Sequence, residues 1–117
     1  MSYVDGFVLV IPKKNLAAYR VMARKAGKIW IEHGALSFQE NIGEDMKPKY
    51  GIPYPRLIKA KPSELVAFSW ITFKSRAHRD KVNAKVMADL RLTGMEGPMP
   101  FDMKRMAYGG FTSLVKL

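Results

Sequence analysis

The stretch from residue 3 to residue 34, YVDGFVLVIPKKNLAAYRVMARKAGKIWIEHG, decides the fold class. Residues 3–11 place β-branched and aromatic side chains on both faces of a predicted strand, which ends at Pro12. Asn15 can then cap a helix whose apolar side chains recur along one band, and Gly34 supplies a left-handed stop. The chain is therefore predicted to open with a strand and an amphipathic helix.

The rest of the chain predicts two further strands, a second helix and a last strand. The predicted elements are a strand over 35–44, a proline-rich loop, a strand over 64–74, a helix over 76–89 capped by Ser75, a loop over 93–103 and a strand over 104–115. The order is βαββαβ. It predicts an α+β, ferredoxin-like fold in which an antiparallel four-stranded sheet carries both helices on one face.

The strands are apolar on both sides, which a sheet with one water-facing side is not expected to be. In the first strand Phe7 and Leu9 oppose Val8 and Val10. A bare apolar sheet face of several hundred Å² normally marks an interface. We therefore expect a homodimer with its sheets packed face to face, a dimeric α/β barrel.

Composition limits the class of protein. The 117 residues predict a single domain over 1–117. The chain has no cysteine, so disulfides, thiolate catalysis and cysteine-ligated metals are excluded and a reducing, cytoplasmic location is expected. There is no charged leader ahead of the first apolar run, and the longest apolar-rich segment is too short to cross a bilayer.

The net charge of +10 concentrates anions near the surface, so the arrangement of the basic residues matters. Around His78, the basic residues of the second helix point in different directions and indicate a solvated surface. Arg20, Arg24 and Lys28 instead form a stripe at i, i+4, i+8, predicted to face away from the apolar band of the first helix. Solvated charge is the favoured interpretation of this stripe, and nucleic-acid or anion binding together with the loop over residues 47–61 is the alternative.

A second basic segment lies in the proline-rich loop. Over residues 47–61, the lysines and arginine, among them Arg56, Lys59 and Lys61, alternate with two tyrosines, the combination that single-stranded nucleic-acid binders use for phosphates and stacking. A structural arm that wraps a dimer partner is the competing interpretation.

A family resemblance covers nearly the whole chain. The segments MSYVDGFVLVIPKKNLAAYRVMARKAGKIWIEHGAL, FSWITFKSRAHRDKVNAKVMAD and MPFDMKRMAYGGF resemble the bacterial YbaA-like family, domain of unknown function 1428. The resemblance implies membership of the dimeric α/β-barrel superfamily, which also contains cofactor-independent antibiotic-biosynthesis monooxygenases, haem-degrading monooxygenases and stress-response proteins. It implies no particular activity.

The same resemblance draws attention to Trp70 and His78, because haem-degrading members place a tryptophan on the third strand and a histidine on the second helix. Those members use an asparagine on the first strand, where this chain has Asp5. The triad is not matched, so no haem or other cofactor is predicted. His33 and His78 are the only histidines and show no HxH or HExxH spacing, so no metal site is predicted either.

Two interpretations of His78 remain open. It is either a packed histidine hydrogen-bonded to a backbone carbonyl or a carboxylate, or a proton acceptor beside Trp70 for a phenolic or enolic substrate that reacts with oxygen. The leading hypothesis is a small, partly aromatic ligand bound between sheet and helices, as in a cofactor-independent monooxygenase. The residues expected to line that pocket are Trp30, His33, Trp70, His78 and Tyr108, with Asp5 as a further catalytic candidate.

Overall fold

The computed structural model describes residues 2–93 and 97–117. Four strands form one antiparallel sheet in the order β2-β3-β1-β4. The strands are β1 (Tyr3–Pro12), β2 (Ser37–Ile42), β3 (Glu64–Phe73) and β4 (Ala107–Thr112). The helices are α1 (Leu16–Glu32), α2 (Tyr54–Leu57), α3 (Arg76–Met87) and α4 (Leu90–Thr93), with 3-10 turns at Lys13–Asn15 and Met103–Arg105. The predicted antiparallel four-stranded sheet with two long helices is confirmed.

Both long helices cover the same face of the sheet. In β1 and β3 this face carries the odd-numbered side chains, since Asp5 pairs in register with Ile71 and Leu9 with Ala67. The core under the helices is formed mainly by two groups of buried side chains. One contains Ile29, Ala35, Ile71, Phe73, Val82 and Val86, and the other contains Leu9, Ile11, Tyr19, Ala23 and Ala67.

The opposite face carries the even-numbered side chains and is partly covered by the chain itself. Residues 43–63 fold back over it, and Ile58 is buried there against Val10 and Val66. Phe68 and Phe111 remain exposed, at 40% and 61%. The loop between β2 and β3 is therefore in part a cover for this chain's own sheet.

The helix ends agree with the sequence in two of three places. Ser75 caps α3 by accepting a hydrogen bond from the backbone N–H of His78 at 3.1 Å. Gly34 follows α1 with a φ of +113°, the left-handed conformation expected of a glycine stop. Asn15 stands at the N-cap of α1 but makes no capping bond, because its side-chain amide donates to the carbonyl of Pro100 at 3.4 Å.

Other boundaries differ from the prediction. β2 and β4 are shorter than predicted, since a bend precedes Ser37 and a 3-10 turn occupies Met103–Arg105. The helices α2 and α4 are additional to the predicted order. Residues 94–96 of the predicted loop lie outside the described residues. No described helix has the length and apolar character needed to span a membrane.

Candidate functional site

A groove of about 710 Å³ runs between α1 and β2, the strand at one edge of the sheet. One wall is helical and the other is formed by alternate side chains of the edge strand. The groove is lined by Leu16, Tyr19, Arg20, Ala23, Arg24, Gly27, Lys28, Ile31, Glu32, Phe38, Glu40 and Ile42. The set is largely apolar, with its charged members on the helix and at Glu40, so the groove has the composition of a site for an amphipathic molecule.

Two local features of the sequence shape the floor. The side chains of Phe38, Glu40 and Ile42 share one side of β2 because strand side chains alternate. Gly27 of α1 lies directly over the ring of Phe38, since a methyl group placed there would come within 2.7 Å of its Cδ1. The missing side chain at Gly27 lets the aromatic ring approach the helix backbone and form the apolar floor.

The basic stripe Arg20, Arg24 and Lys28 borders this groove. All three side chains are exposed, and within residues 2–93 and 97–117 none of them forms an ion pair or hydrogen bond. The stripe was predicted to lie on the side of α1 away from its apolar band. The three side chains are exposed, as that placement requires, and they also border the groove, which the prediction did not include.

A protonatable pair lies in the same groove. The hydroxyl of Tyr19 donates to Oε2 of Glu40 at 2.7 Å. Desolvation by burial raises the pKa of the Glu40 carboxyl, and the hydrogen bond from Tyr19 only partly opposes that rise. Burial, with the adjacent carboxylate, raises the pKa of the Tyr19 phenol as well. Tyr19 is therefore a hydrogen-bond donor throughout the neutral range, and Glu40 is an acceptor held in a partly dry environment.

The structure does not bring Trp70 and His78 together. Trp70 belongs to the even-numbered set of β3 and packs edge-on against Phe68, with ring centroids 5.7 Å apart on the face away from the helices. His78 lies on the helix side, where its ring packs against Phe73 at 5.9 Å. The sheet separates the two side chains, so the expected pocket containing both is not formed within one chain.

The imidazole of His78 has a local structural contact. Its Nδ1 accepts a hydrogen bond from the backbone N–H of Lys74 at 3.0 Å. The packed-histidine interpretation named a carbonyl or carboxylate as partner, and this expectation is wrong because the partner is a donor. The proton of the neutral ring then belongs on Nε2.

Asp5 and Trp30 take part in one polar network beneath α3. Trp30 Nε1 donates to Asn83 Oδ1 at 3.0 Å, and Asn83 Nδ2 lies 3.5 Å from Asp5 Oδ2. Arg79 places its Nε 3.7 Å from Asp5 Oδ1 and donates through Nη2 to the hydroxyl of Tyr3 at 3.0 Å. Burial raises the pKa of the Asp5 carboxyl, against the lowering effect of the guanidinium. Through these contacts Asp5, named above as a further catalytic candidate, links β1 to α3.

His33 and Tyr108 form contacts of their own, separate from the hydrogen bonds of that network. His33 occupies the C-cap of α1, and its Nε2 lies 2.8 Å from Asp89 Oδ2. Hydrogen bonds from Arg91 and His33 hold the pKa of the Asp89 carboxyl well below its usual range. Tyr108 stacks on Phe7 at 6.0 Å and is 71% exposed at the edge of the sheet. Both side chains are accounted for by contacts between elements.

The cations of the loop over residues 47–61 do not converge on the groove residues. Arg56 in α2 and Lys59 and Lys61 after it are exposed, and Lys59 has a φ of +58°. The carbonyl of Lys59 accepts a hydrogen bond from Arg105 at 2.8 Å, which ties the loop to the turn before β4. In the described part of the chain, no group of three or more histidine, aspartate or glutamate side chains could hold a metal ion.

Tyr19, Gly27, Phe38 and Glu40 are the site residues that the sequence reasoning missed. The alternation of Phe38, Glu40 and Ile42 was visible in the second predicted strand. It shows only that these three side chains share a face, and nothing local indicates that α1 lies beside them.

Comparison with known proteins gives one consistent result. A family model described as "Protein of unknown function (DUF1428)" matches residues 2–103. The chain is 43% identical over 115 residues to "Uncharacterized protein YbaA" of Escherichia coli (strain K12), covering 98% of each chain. A protein of the same name from Shigella flexneri matches with the same identity and coverage. A solved structure, "De novo designed protein Foldit4", covers 97% of this chain and 99% of its own with a TM-score of 0.49 and 7% identity, a likeness that carries no argument. The chain belongs to the DUF1428 family of proteins of unknown function.

Proposed function

We propose that this protein binds a small, partly aromatic organic anion in the groove between α1 and β2. The observation that carries the proposal is the row of three cations, Arg20, Arg24 and Lys28, which have no protein partner among the described residues and border an apolar floor. A volume of about 710 Å³ lies within the roughly 300–1,000 Å³ typical of ligand sites.

Binding of the proposed ligand depends on both its negative charge and its aromatic ring. An exposed ion pair contributes about 0.2–1 kcal/mol, so the rim alone supports weak, salt-sensitive binding. Burial of roughly 100 Å² of aromatic surface on Phe38 and its neighbours contributes about 2.5 kcal/mol at about 25 cal/mol per Å². Neither contribution is sufficient by itself for tight binding, so a simple inorganic anion and a neutral arene are both expected to bind poorly.

A calorimetric titration of the protein with 2-naphthoate tests the proposal. Arg24→Glu removes a rim cation and introduces repulsion, and we expect it to weaken binding about tenfold, which corresponds to about 1.4 kcal/mol. Lys85→Glu on α3 is the matched control, because it makes the same change in net charge on another exposed helix surface. Equal losses in the two variants would show that only the overall charge of the protein matters.

The finer architecture is part of the same proposal. The order β2-β3-β1-β4, with α1 and α3 on one face, supports a ferredoxin-like arrangement. The exposed Phe68 and Phe111 on the other face support a homodimer of the dimeric α/β-barrel type, in which a second copy covers what residues 43–63 leave bare. The α1–β2 groove lies on the helix side of the sheet, so the two proposals are independent.

Nucleic-acid binding by the loop over residues 47–61 is the second candidate, favoured by the 89% exposure of Tyr50, which directly follows Lys47 and Lys49 in the chain. Single-stranded RNA should then bind with an affinity that falls steeply between about 50 and 200 mM salt. Replacing Arg56, Lys59 and Lys61 together by serine should reduce the salt slope, whereas Arg24→Glu should leave it nearly unchanged. Binding that ignores the loop substitutions would remove this candidate.

Oxygen-dependent turnover is the catalytic form of the leading proposal, and it is tested separately. Quinols and phenols that bind in the groove are incubated with the protein while oxygen is measured with an electrode. Oxygen consumption above the rate without protein supports a monooxygenase-like activity. A rate equal to that of the protein-free sample for every bound compound limits the protein to binding.

A further inference from the structure

Glu40 has an acceptor oxygen that no described residue uses. Oε2 accepts from the Tyr19 hydroxyl at 2.7 Å, whereas Oε1 has no hydrogen-bond donor within residues 2–93 and 97–117. The carboxyl group lines the groove, so this free oxygen belongs to a surface that a ligand would cover. Within the described residues, only one of the two oxygens of this partly desolvated carboxyl group therefore has a protein partner.

The charged side chains around the groove do not pair with Oε1 of Glu40 either. Arg20, Arg24 and Lys28 line the same groove from α1, yet none lies within ion-pair distance of Glu40. On the neighbouring strand the register partner of Glu40 is Ser69, an uncharged residue. The remaining acidic side chain of the groove, Glu32, is engaged by Arg91 at 2.6 Å. Glu40 therefore forms no ion pair with the basic rim and provides a separate polar group in the groove.

The two polar features impose different requirements on one ligand. The rim extends along α1 from Arg20 to Lys28, eight residue steps or about 12 Å at about 1.5 Å per step, so an anionic group has several positions within reach. Glu40 repels that anionic group and accepts hydrogen bonds. A ligand that covers Glu40 with an apolar surface would leave a carboxylate desolvated and unpaired, which is unfavourable.

We propose that the ligand of this groove is an aromatic anion that also carries a hydroxyl or N–H donor on its ring, and that this donor bonds to Glu40 while the anionic group meets the basic rim. The inference rests on the proposed function and specifies its ligand class. The Tyr19 hydroxyl occupies one carboxylate oxygen and leaves the other for the donor of the ligand.

The test compares two probes that differ only in the donor, 2-naphthoate and 6-hydroxy-2-naphthoate, by calorimetry at pH 7. The wild-type protein should bind the hydroxylated probe about tenfold more tightly, since the hydroxyl satisfies an acceptor that the parent compound leaves unpaired. Glu40→Leu should remove this preference by improving binding of the parent compound and weakening that of the hydroxylated one. Tyr19→Phe should retain the preference, because the carboxylate remains.

The outcomes separate the two proposals. Equal binding of both probes to the wild-type protein would overturn the role of Glu40 and leave the groove as a site for aromatic anions. A preference lost in Tyr19→Phe but kept in Glu40→Leu would assign the contact to the phenol and would also overturn it. Failure of both probes to bind the wild-type protein at millimolar concentration would overturn the proposed function itself. If circular dichroism shows that Glu40→Leu does not fold, Glu40→Gln replaces it. The preference of this variant for the hydroxylated probe should be reduced at least threefold, because a neutral amide oxygen is a weaker acceptor than a carboxylate. An unchanged preference in Glu40→Gln would overturn the inference.

Discussion

Replacing Gly27 by alanine should have opposite effects on stability depending on whether the ring of Phe38 is present. A Cβ at position 27 would lie 2.7, 2.9 and 3.1 Å from three ring carbons of Phe38. To restore an ordinary contact of 3.4 Å, the nearest ring carbon must move by about 0.7 Å. The ring forms the floor of the groove, so its displacement changes both packing and the proposed ligand site.

Two free-energy terms of similar size oppose each other. Alanine in the interior of α1 is favoured over glycine by about 1 kcal/mol through helix propensity. Forcing a methyl group into a packed contact costs about 1–3 kcal/mol. In the wild-type background the substitution should therefore be neutral or destabilising, by roughly 0–2 kcal/mol. In a Phe38→Ala background the clash is absent, so the same substitution should stabilise by about 1 kcal/mol.

Urea denaturation followed by circular dichroism measures all four proteins of this double-mutant cycle, and the coupling free energy should be about 1–3 kcal/mol. Ala84→Gly at an exposed position of α3 calibrates the propensity term alone, with an expected loss of about 1 kcal/mol. If Gly27→Ala stabilised the wild-type protein as much as the Phe38→Ala protein, the close approach of helix and ring would be refuted.

Three further predictions follow from single residues. Val8→Lys places a charge on the sheet face away from the helices and should dissociate the proposed dimer without unfolding the chain, as measured by sedimentation. Phe7→Lys places the charge in the core and should unfold the protein. A stable wild-type monomer at micromolar concentration would contradict the dimer. Hydrogen bonds from Arg105 lower the pKa of Glu64 from 4.5 to about 2, so this pairing stabilises the fold above pH 4.5 and is lost as the pH falls towards 2; Glu64→Gln should flatten the acid limb of a stability profile over that interval, and an unchanged acid limb would show that the pairing does not contribute. His78→Leu removes the acceptor of the Lys74 backbone N–H and should lower the free energy of unfolding by about 1 kcal/mol in urea denaturation, while His78→Gln should lower it less. Both variants should bind 2-naphthoate like the wild type. Loss of binding in both would show that His78 contributes to the ligand site.

The local sequence was sufficient for the order of the elements and for some of their ends. Apolar periodicity distinguishes the long helices from the strands, because side chains on a helix repeat every 3.6 residues and those on a strand every two. The start of α3 at Ser75 depends on one side-chain oxygen and the end of α1 before Gly34 on one left-handed backbone conformation, which are properties of single residues. The basic stripe on α1 is likewise a consequence of helical geometry alone.

Which face of each strand meets the helices was decided only by the tertiary structure. β1 and β3 are apolar on both sides, so their pattern carries no information about which parity is covered. This is the reason that Trp70 and His78 could be predicted to share a pocket although the sheet separates them. The groove depends even more on long-range packing, because Tyr19 and Glu40 are 21 residues apart and meet only when α1 lies against the edge strand. A pattern within one helix or strand specifies which side chains point together, whereas a site between two elements is determined by how those elements pack.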